Sequence, residues 1–145
     1  MFTREKKIYE SKTVKLLSFI EKYFTVRFSR KTFYSNSIIL YYKNKFLSSK
    51  VACVAMVAKK KDYWHITHIA TDENLRKKGY GKKVLKRIIK DYLKSEAKEL
   101  TCNIRFLNTS SQILFEQMGF KKIEVDPKEV KPGFERYKYF HPNIF

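Results

Sequence analysis

Ile69-Ala-Thr-Asp-Glu-Asn-Leu-Arg-Lys-Lys-Gly-Tyr-Gly81 is the stretch on which the reading of this chain turns. It leaves a run of strand formers, 63–71 (YWHITHIAT), and enters a helical pattern. From Gly81 to about Ser95, the residues Val84, Leu85, Ile88, Ile89, Tyr92 and Leu93 make one apolar stripe. Lys86, Arg87, Lys90 and Lys94 lie opposite it. The junction Arg76-Lys77-Lys78-Gly79-Tyr80-Gly81 therefore precedes a helix N-terminus, which offers unpaired N–H groups and the positive end of the helix dipole. The glycines let the backbone curl closely around a ligand, and the lysines add charge. A pyrophosphate fits such a site.

Upstream, Val14, Leu17, Ile20 and Phe24 recur at helical spacing between Ser11 and Phe24. The runs 38–43 and 50–58 are rich in strand formers and, with 63–71, predict an antiparallel meander with polar turns at Lys43–Lys45 and Lys59–Asp62. Downstream come a strand near 100–106 and a helix near 109–118, which a Thr109/Gln112 capping box opens and Gly119 closes. Strands near 120–125 and 134–140 finish the order. The strands near 65–71 and 100–106 are joined by a helix and should be parallel, as in a βαβ crossover. The expected class is α/β (α+β), a mixed sheet flanked by helices. No linker or repeat divides residues 1–145, so a single domain is expected.

With 43% hydrophobic and 16% aromatic residues the chain is not of disordered composition. No apolar run approaches the ~20 residues of a membrane span and no signal peptide opens the chain, so the expectation is a soluble cytoplasmic protein, or a nuclear one in a eukaryote. Cys53 and Cys102 read as core residues, and His65, His68 and His141 have no metal-ligand spacing with them; no metal is expected. The net charge of +18 suits an acidic or nucleic-acid-associated partner. However, Lys, Asn, Ile, Phe and Tyr are all residues of A/T-rich codons, and the lysines are spread along the chain. Charge alone does not decide the partner.

The 69–81 stretch resembles motif A of the GNAT (GCN5-related) N-acetyltransferases, Arg/Gln-x-x-Gly-x-Gly/Ala between a strand and a helix. Asn108-Thr-Ser-Ser-Gln-Ile-Leu-Phe-Glu-Gln-Met-Gly-Phe120 resembles their motif B, in the family's order and at its spacing. The close match covers about 64–125; the first 60 residues agree only in layout. The resemblance implies the GNAT acyltransferase fold and acetyl-CoA as co-substrate. It implies a pyrophosphate on the backbone N–H groups of Lys77, Lys78, Gly79, Tyr80, Gly81 and Lys82, beside Arg76. The pantetheine arm would lie along the backbone of Ile69 and Thr71, and an N–H in this stretch would stabilise the oxyanion. Asn108, Ser111 and Phe115 would line the cofactor from the second helix, Asn108 through a direct or water contact.

The implied reaction is direct attack of a primary amine on the thioester in a ternary complex. A protein lysine, a protein N-terminus and a small amine are all open as acceptors. His65 is the candidate base, at the strand position where several members carry Glu or His. His68 should face the other way in a regular strand. Phe115 stands where many members have a tyrosine acid, so Tyr80, Tyr137 and Tyr139 are the substitutes to consider. Acceptor-side carboxylates could come from Glu10, Glu21, Asp62 and Glu135. An alternative from another class is a GNAT-fold binding module with a basic nucleic-acid surface and weak turnover, or an enzyme acting on tRNA-linked amines.

Overall fold

A computed structural model describes residues 7–11, 17–24, 27–44 and 50–142. One seven-stranded sheet organises them, with β1 (Lys7–Ser11), β2 (Ser37–Asn44), β3 (Lys50–Lys59), β4 (Tyr63–Thr71), β5 (Glu99–Arg105), β6 (Phe120–Ile123) and β7 (Phe134–Tyr139). The spatial order is β1-β2-β3-β4-β5-β7-β6, and every neighbouring pair is antiparallel except β4–β5. That parallel pair needs a crossover, and α3 (Tyr80–Leu93) supplies it. Helices α1 (Leu17–Phe24) and α2 (Arg30–Tyr34) precede β2, and α4 (Thr109–Gln117) follows β5.

The expected strands at 38–43, 50–58, 63–71, 100–106 and 134–140 are all present within a residue or two. β1 and α2 were not foreseen: each has five residues, too few for a periodic pattern to emerge. The expected helix from Ser11 is described only from Leu17, and residues 12–16 lie outside the described residues.

Each face of the sheet buries its own apolar set. Alternation along β5 sends Leu100, Cys102 and Ile104 to the face covered by α3, where Val84, Leu85 and Ile88 are fully buried. Burying a side chain of this size contributes about 1.5–3 kcal/mol. On the other face Ile20 of α1 and Phe33 of α2 close over Ile38, Leu40, Val54 and Met56. Both cysteines are free and buried.

Two local expectations need correction. The cap of α4 is Asn108, whose Oδ1 accepts the Ser111 N–H at 3.2 Å. The Gln112 amide donates instead to the carbonyls of Arg105 and Phe106, so the Thr109/Gln112 capping box does not form. Strand β4 is also irregular. Met56 pairs with His68 but Val57 pairs with Ile66, so Thr67 is an extra residue opposite a continuous β3. A bulge of one residue resets the alternation. His68 therefore joins Met56 on the α1 face, in edge contact with Phe28, the same face as His65.

Candidate active site

The parallel pairing of β4 and β5 stops at Ile66–Cys102, although both strands continue. The Asp72 N–H donates to the Ala52 carbonyl, which makes 72, 70 and 68 the β4 residues hydrogen-bonded to β3. By the same alternation Ile69 and Thr71 turn their N–H and C=O groups the other way, into the gap that β5 has left. An unpaired strand edge inside a sheet is a template for an extended chain carrying amides.

The 72–81 connection closes one end of this gap. Asp72 caps a short 3-10 turn at Glu73–Leu75, and buried Leu75 anchors it. Lys77 has φ 62° and Gly79 has φ 85°, two left-handed residues that curl the chain into the first turn of α3. Gly79 is the N-cap with no side-chain hydrogen bond, and the first backbone bond runs from Lys83 N–H to Gly79 C=O. The N–H groups of Tyr80, Gly81 and Lys82 are thus those of a helix's first turn, which has no preceding helical carbonyl to bond. Arg76 reaches back to the Thr71 carbonyl at 3.4 Å, and Lys77, Lys78 and Lys82 are exposed. At Gly81 a Cβ would meet Leu114 Cδ2 at 3.4 Å and Thr71 Oγ1 at 3.5 Å. The start of α3, the end of β4 and α4 therefore converge on the gap.

The sequence-predicted residues of α4 separate into two kinds. Asn108 and Ser111 sit at its open N-terminus. Phe115 is 2% exposed and packs edge-on against Phe120 at 5.0 Å, a core position. Of the three tyrosines considered as acids, Tyr80 is buried against Tyr41, and Tyr139 packs under Gly119 beside Phe120. Tyr137 pairs with Cys102, the residue where β4–β5 pairing ends. Burial, then the negative charges of Glu116 and Glu135, raise its pKa, which keeps the phenol protonated.

On the opposite face the gap is bordered by polar side chains from three strands. His65 Nδ1 lies 2.7 Å from the Oγ1 of buried Thr101. Burial, with the Arg136 charge as the second cause, lowers the His65 pKa to about 4. Burial lowers His68 as well, with Lys131 contributing. Asn103 is the first β5 residue beyond the pairing, and its Oδ1 accepts from Arg136 Nε at 2.9 Å. Arg136 Nη2 also donates to the Glu129 carbonyl at 3.2 Å. Sequence reasoning missed Thr101, Asn103 and Arg136. The signal available was alternation: polar residues at 101 and 103 between buried Leu100, Cys102 and Ile104.

Glu135 pairs with Lys122, Glu21 accepts the Phe28 N–H, and Asp62 lies in the β3–β4 turn. The side chain of Glu10 lies outside the described residues. No group of three or more His, Cys, Asp or Glu among the described residues could hold a metal ion. No helix among them is long and apolar enough to cross a membrane.

The model of the acetyltransferase (GNAT) family matches residues 9–120. A comparison with curated protein sequences finds no match. Among solved structures, the ribosomal-protein-S18-alanine N-acetyltransferase of Escherichia coli is 18% identical with a TM-score of 0.74, covering 97% of this chain and 99% of that one. Arabidopsis thaliana Naa50, in complex with the bisubstrate analogue CoA-Ac-MVNAL, is 14% identical with a TM-score of 0.77, covering 92% and 99%. A GNAT acetyltransferase from Elizabethkingia anophelis with acetyl-CoA bound is 17% identical with a TM-score of 0.66, covering 92% and 97%.

Proposed function

Because the chain belongs to the acetyltransferase (GNAT) family, we propose that it transfers the acetyl group of acetyl-CoA to the α-amine of a polypeptide N-terminus. The observation that carries this reading is the gap beyond Ile66–Cys102, open along Ile69 and Thr71 and ending at the N-terminus of α3. The pantetheine amides bond the backbone of Ile69 and Thr71 as an added strand. The pyrophosphate rests on the N–H groups from Lys77 to Lys82, with Arg76 and the lysines balancing its charge. Asn108, its Oδ1 used in the cap, offers Nδ2 to the cofactor beside Ser111. Phe115 supports this wall from the core.

The amine lone pair attacks the thioester carbon, a C–N bond forms, and the C–S bond breaks as a backbone N–H of the 69–71 stretch holds the oxyanion. The thiolate leaves with a conjugate-acid pKa near ~8.5 and takes its proton from solvent or from Tyr137. In the tautomer that gives Nδ1–H to Thr101, His65 presents the Nε2 lone pair to the incoming amine or its water. At a pKa of about 4 it is a neutral hydrogen-bond acceptor and a weak base. This weakness favours one acceptor among the three. A lysine amine with pKa ~10.4 must surrender a tightly held proton, whereas an α-amine near ~7.7–8.0 is already partly free at neutral pH. The likeness to an S18-alanine N-acetyltransferase and to Naa50 bound to a peptide-linked CoA analogue points the same way.

The test is acetylation of a peptide that carries both a free N-terminus and an internal lysine, with the modified nitrogen located by fragment-ion mass spectrometry. Acetyl on the α-nitrogen is expected; acetyl on the lysine alone contradicts the acceptor assignment.

A second reading, a nucleic-acid-associated acceptor, is favoured by the outer side of α3. There Lys82, Lys83, Lys86, Arg87, Lys90 and Lys94 stand against a single acidic residue, Asp91. Such a face suits a phosphate backbone.

A further inference from the structure

Arg136 is a cation at the border of the gap that forms no ion pair with a carboxylate among the described residues. Among the described residues Glu99 pairs with Lys138, Glu135 pairs with Lys122, and Glu129 offers Arg136 only its backbone carbonyl. The two bonds it makes, through Nε to Asn103 and through Nη2 to Glu129, go to neutral acceptors and leave Nη1 unused. Those bonds fix the guanidinium plane without neutralising it. A fixed, half-buried guanidinium retains its charge and its preference for a planar oxyanion.

The same residue lines a hollow of about 470 Å³ between the sheet and the 124–133 connection. Its lining is mixed: Ile123, Val125 and Phe134 are apolar, while Lys131, Glu124 and Glu135 carry charge. Ile123 pairs with Arg136, which pairs in turn with Asn103, so the hollow opens on the face that also carries His65. The 127–129 turn is drawn over this face by the Glu129–Arg136 bond. Arg136 therefore borders both the acetyl-transfer gap and this partly apolar hollow, one strand away from the point where β4 and β5 part.

We propose that this hollow is the acceptor subsite and that Arg136 takes a carboxylate of the acceptor, so that the preferred substrate is a polypeptide whose first residue is Asp or Glu. This rests on the N-terminal acetyl-transfer reading above. The apolar side chains of the lining take the methylene part of the side chain, and the guanidinium takes the carboxylate. The same charge repels a basic side chain at this position. A free amino acid could present the same group through its α-carboxylate.

The test compares peptides that begin Glu-Ala, Gln-Ala and Lys-Ala, otherwise identical, with free glutamate as a further acceptor. For the native protein kcat/KM should favour the Glu-Ala peptide over the Gln-Ala peptide by about tenfold, and disfavour Lys-Ala. Arg136→Gln should bring the Glu-to-Gln ratio to about one, and Arg136→Glu should turn the preference toward Lys-Ala. The ratio reads the subsite whatever the overall activity of the variant. Native protein without an acid preference overturns the proposal, as does a preference that survives Arg136→Gln. Free glutamate preferred over every peptide would keep the carboxylate site and overturn the polypeptide acceptor.

Product binding separates this proposal from the one beneath it. N-acetylated Glu-Ala and Gln-Ala peptides are titrated into native protein in the presence of CoA. Tighter binding of the acidic product without any turnover keeps the subsite and removes the transfer reading. Equal binding overturns the subsite even if transfer is observed. This measurement uses native protein alone, so it holds if the variants do not fold.

Discussion

In the proposed reaction His65 decides how the acceptor loses its proton. Its folded pKa of about 4 lies below the unfolded value near ~6.5, so it is neutral across the working range. For an α-amine acceptor kcat/KM should therefore rise through the amine's own pKa of ~7.7–8.0, with no step near ~6.5. A step there that disappears in His65→Gln would restore the imidazole as a titrating base. The same shift bears on stability. Below pH ~6.5 the unfolded chain binds a proton that the folded His65 refuses, so stability is full above ~6.5 and is lost as pH falls toward about 4. His68 acts in the same direction. Denaturant unfolding at pH 7 and pH 5 should show a smaller loss in His65→Gln than in the native protein. Phe115→Tyr offers a contrast. The ring is a core residue against Phe120, so a hydroxyl there should cost about 1–3 kcal/mol and leave the rate of transfer no higher.

At the scale of elements, two helix beginnings carry the site. Gly79 holds φ 85° and its Cβ position is open, so Gly79→Ala meets backbone strain and no clash. A loss of about 1–2 kcal/mol in denaturant unfolding is expected, with cofactor affinity falling because the loop must relax. Asn108→Ala removes the cap of α4 and should cost about 1 kcal/mol. Much of this was legible in the sequence. The switch from period two in 63–71 to period 3.6 after Gly81 fixed the strand–loop–helix unit, and the glycines marked its junction. The acceptor side was harder to read. His68 changes face because of a one-residue bulge at Thr67, and no residue type there announces it. Arg136 meets Asn103 across 33 positions, a contact that sheet order creates and local patterns do not encode. The cap of α4 was misplaced by one residue because Asn, Thr and Ser are all good caps and three of them stand in a row at 108–110.

At the scale of the whole molecule, the charge of +18 is organised as well as large. One concentration runs from Arg76 through the outer side of α3 to Lys94, continuous with the end of the gap at the start of α3. If that face holds a nucleic acid, a fluorescent single-stranded RNA should bind with a logarithmic salt slope of several counterions, reduced by neutralising Lys86, Lys90 and Lys94 together. Binding indifferent to salt or to those three residues would leave the face as solvated surface. In the proposed reaction one face of the sheet carries the phosphate loop and helix dipole, the other the acceptor-side polar residues, and the gap between β4 and β5 joins them. Titration calorimetry of acetyl-CoA into the native protein and into Gly79→Trp tests this arrangement most directly, with thermal melting to confirm that both are folded. Micromolar binding by the native protein, lost in the variant whose indole fills the phosphate loop, is the predicted result. Folded native protein that binds neither acetyl-CoA nor CoA, or a variant that binds as tightly as the native protein, would contradict it.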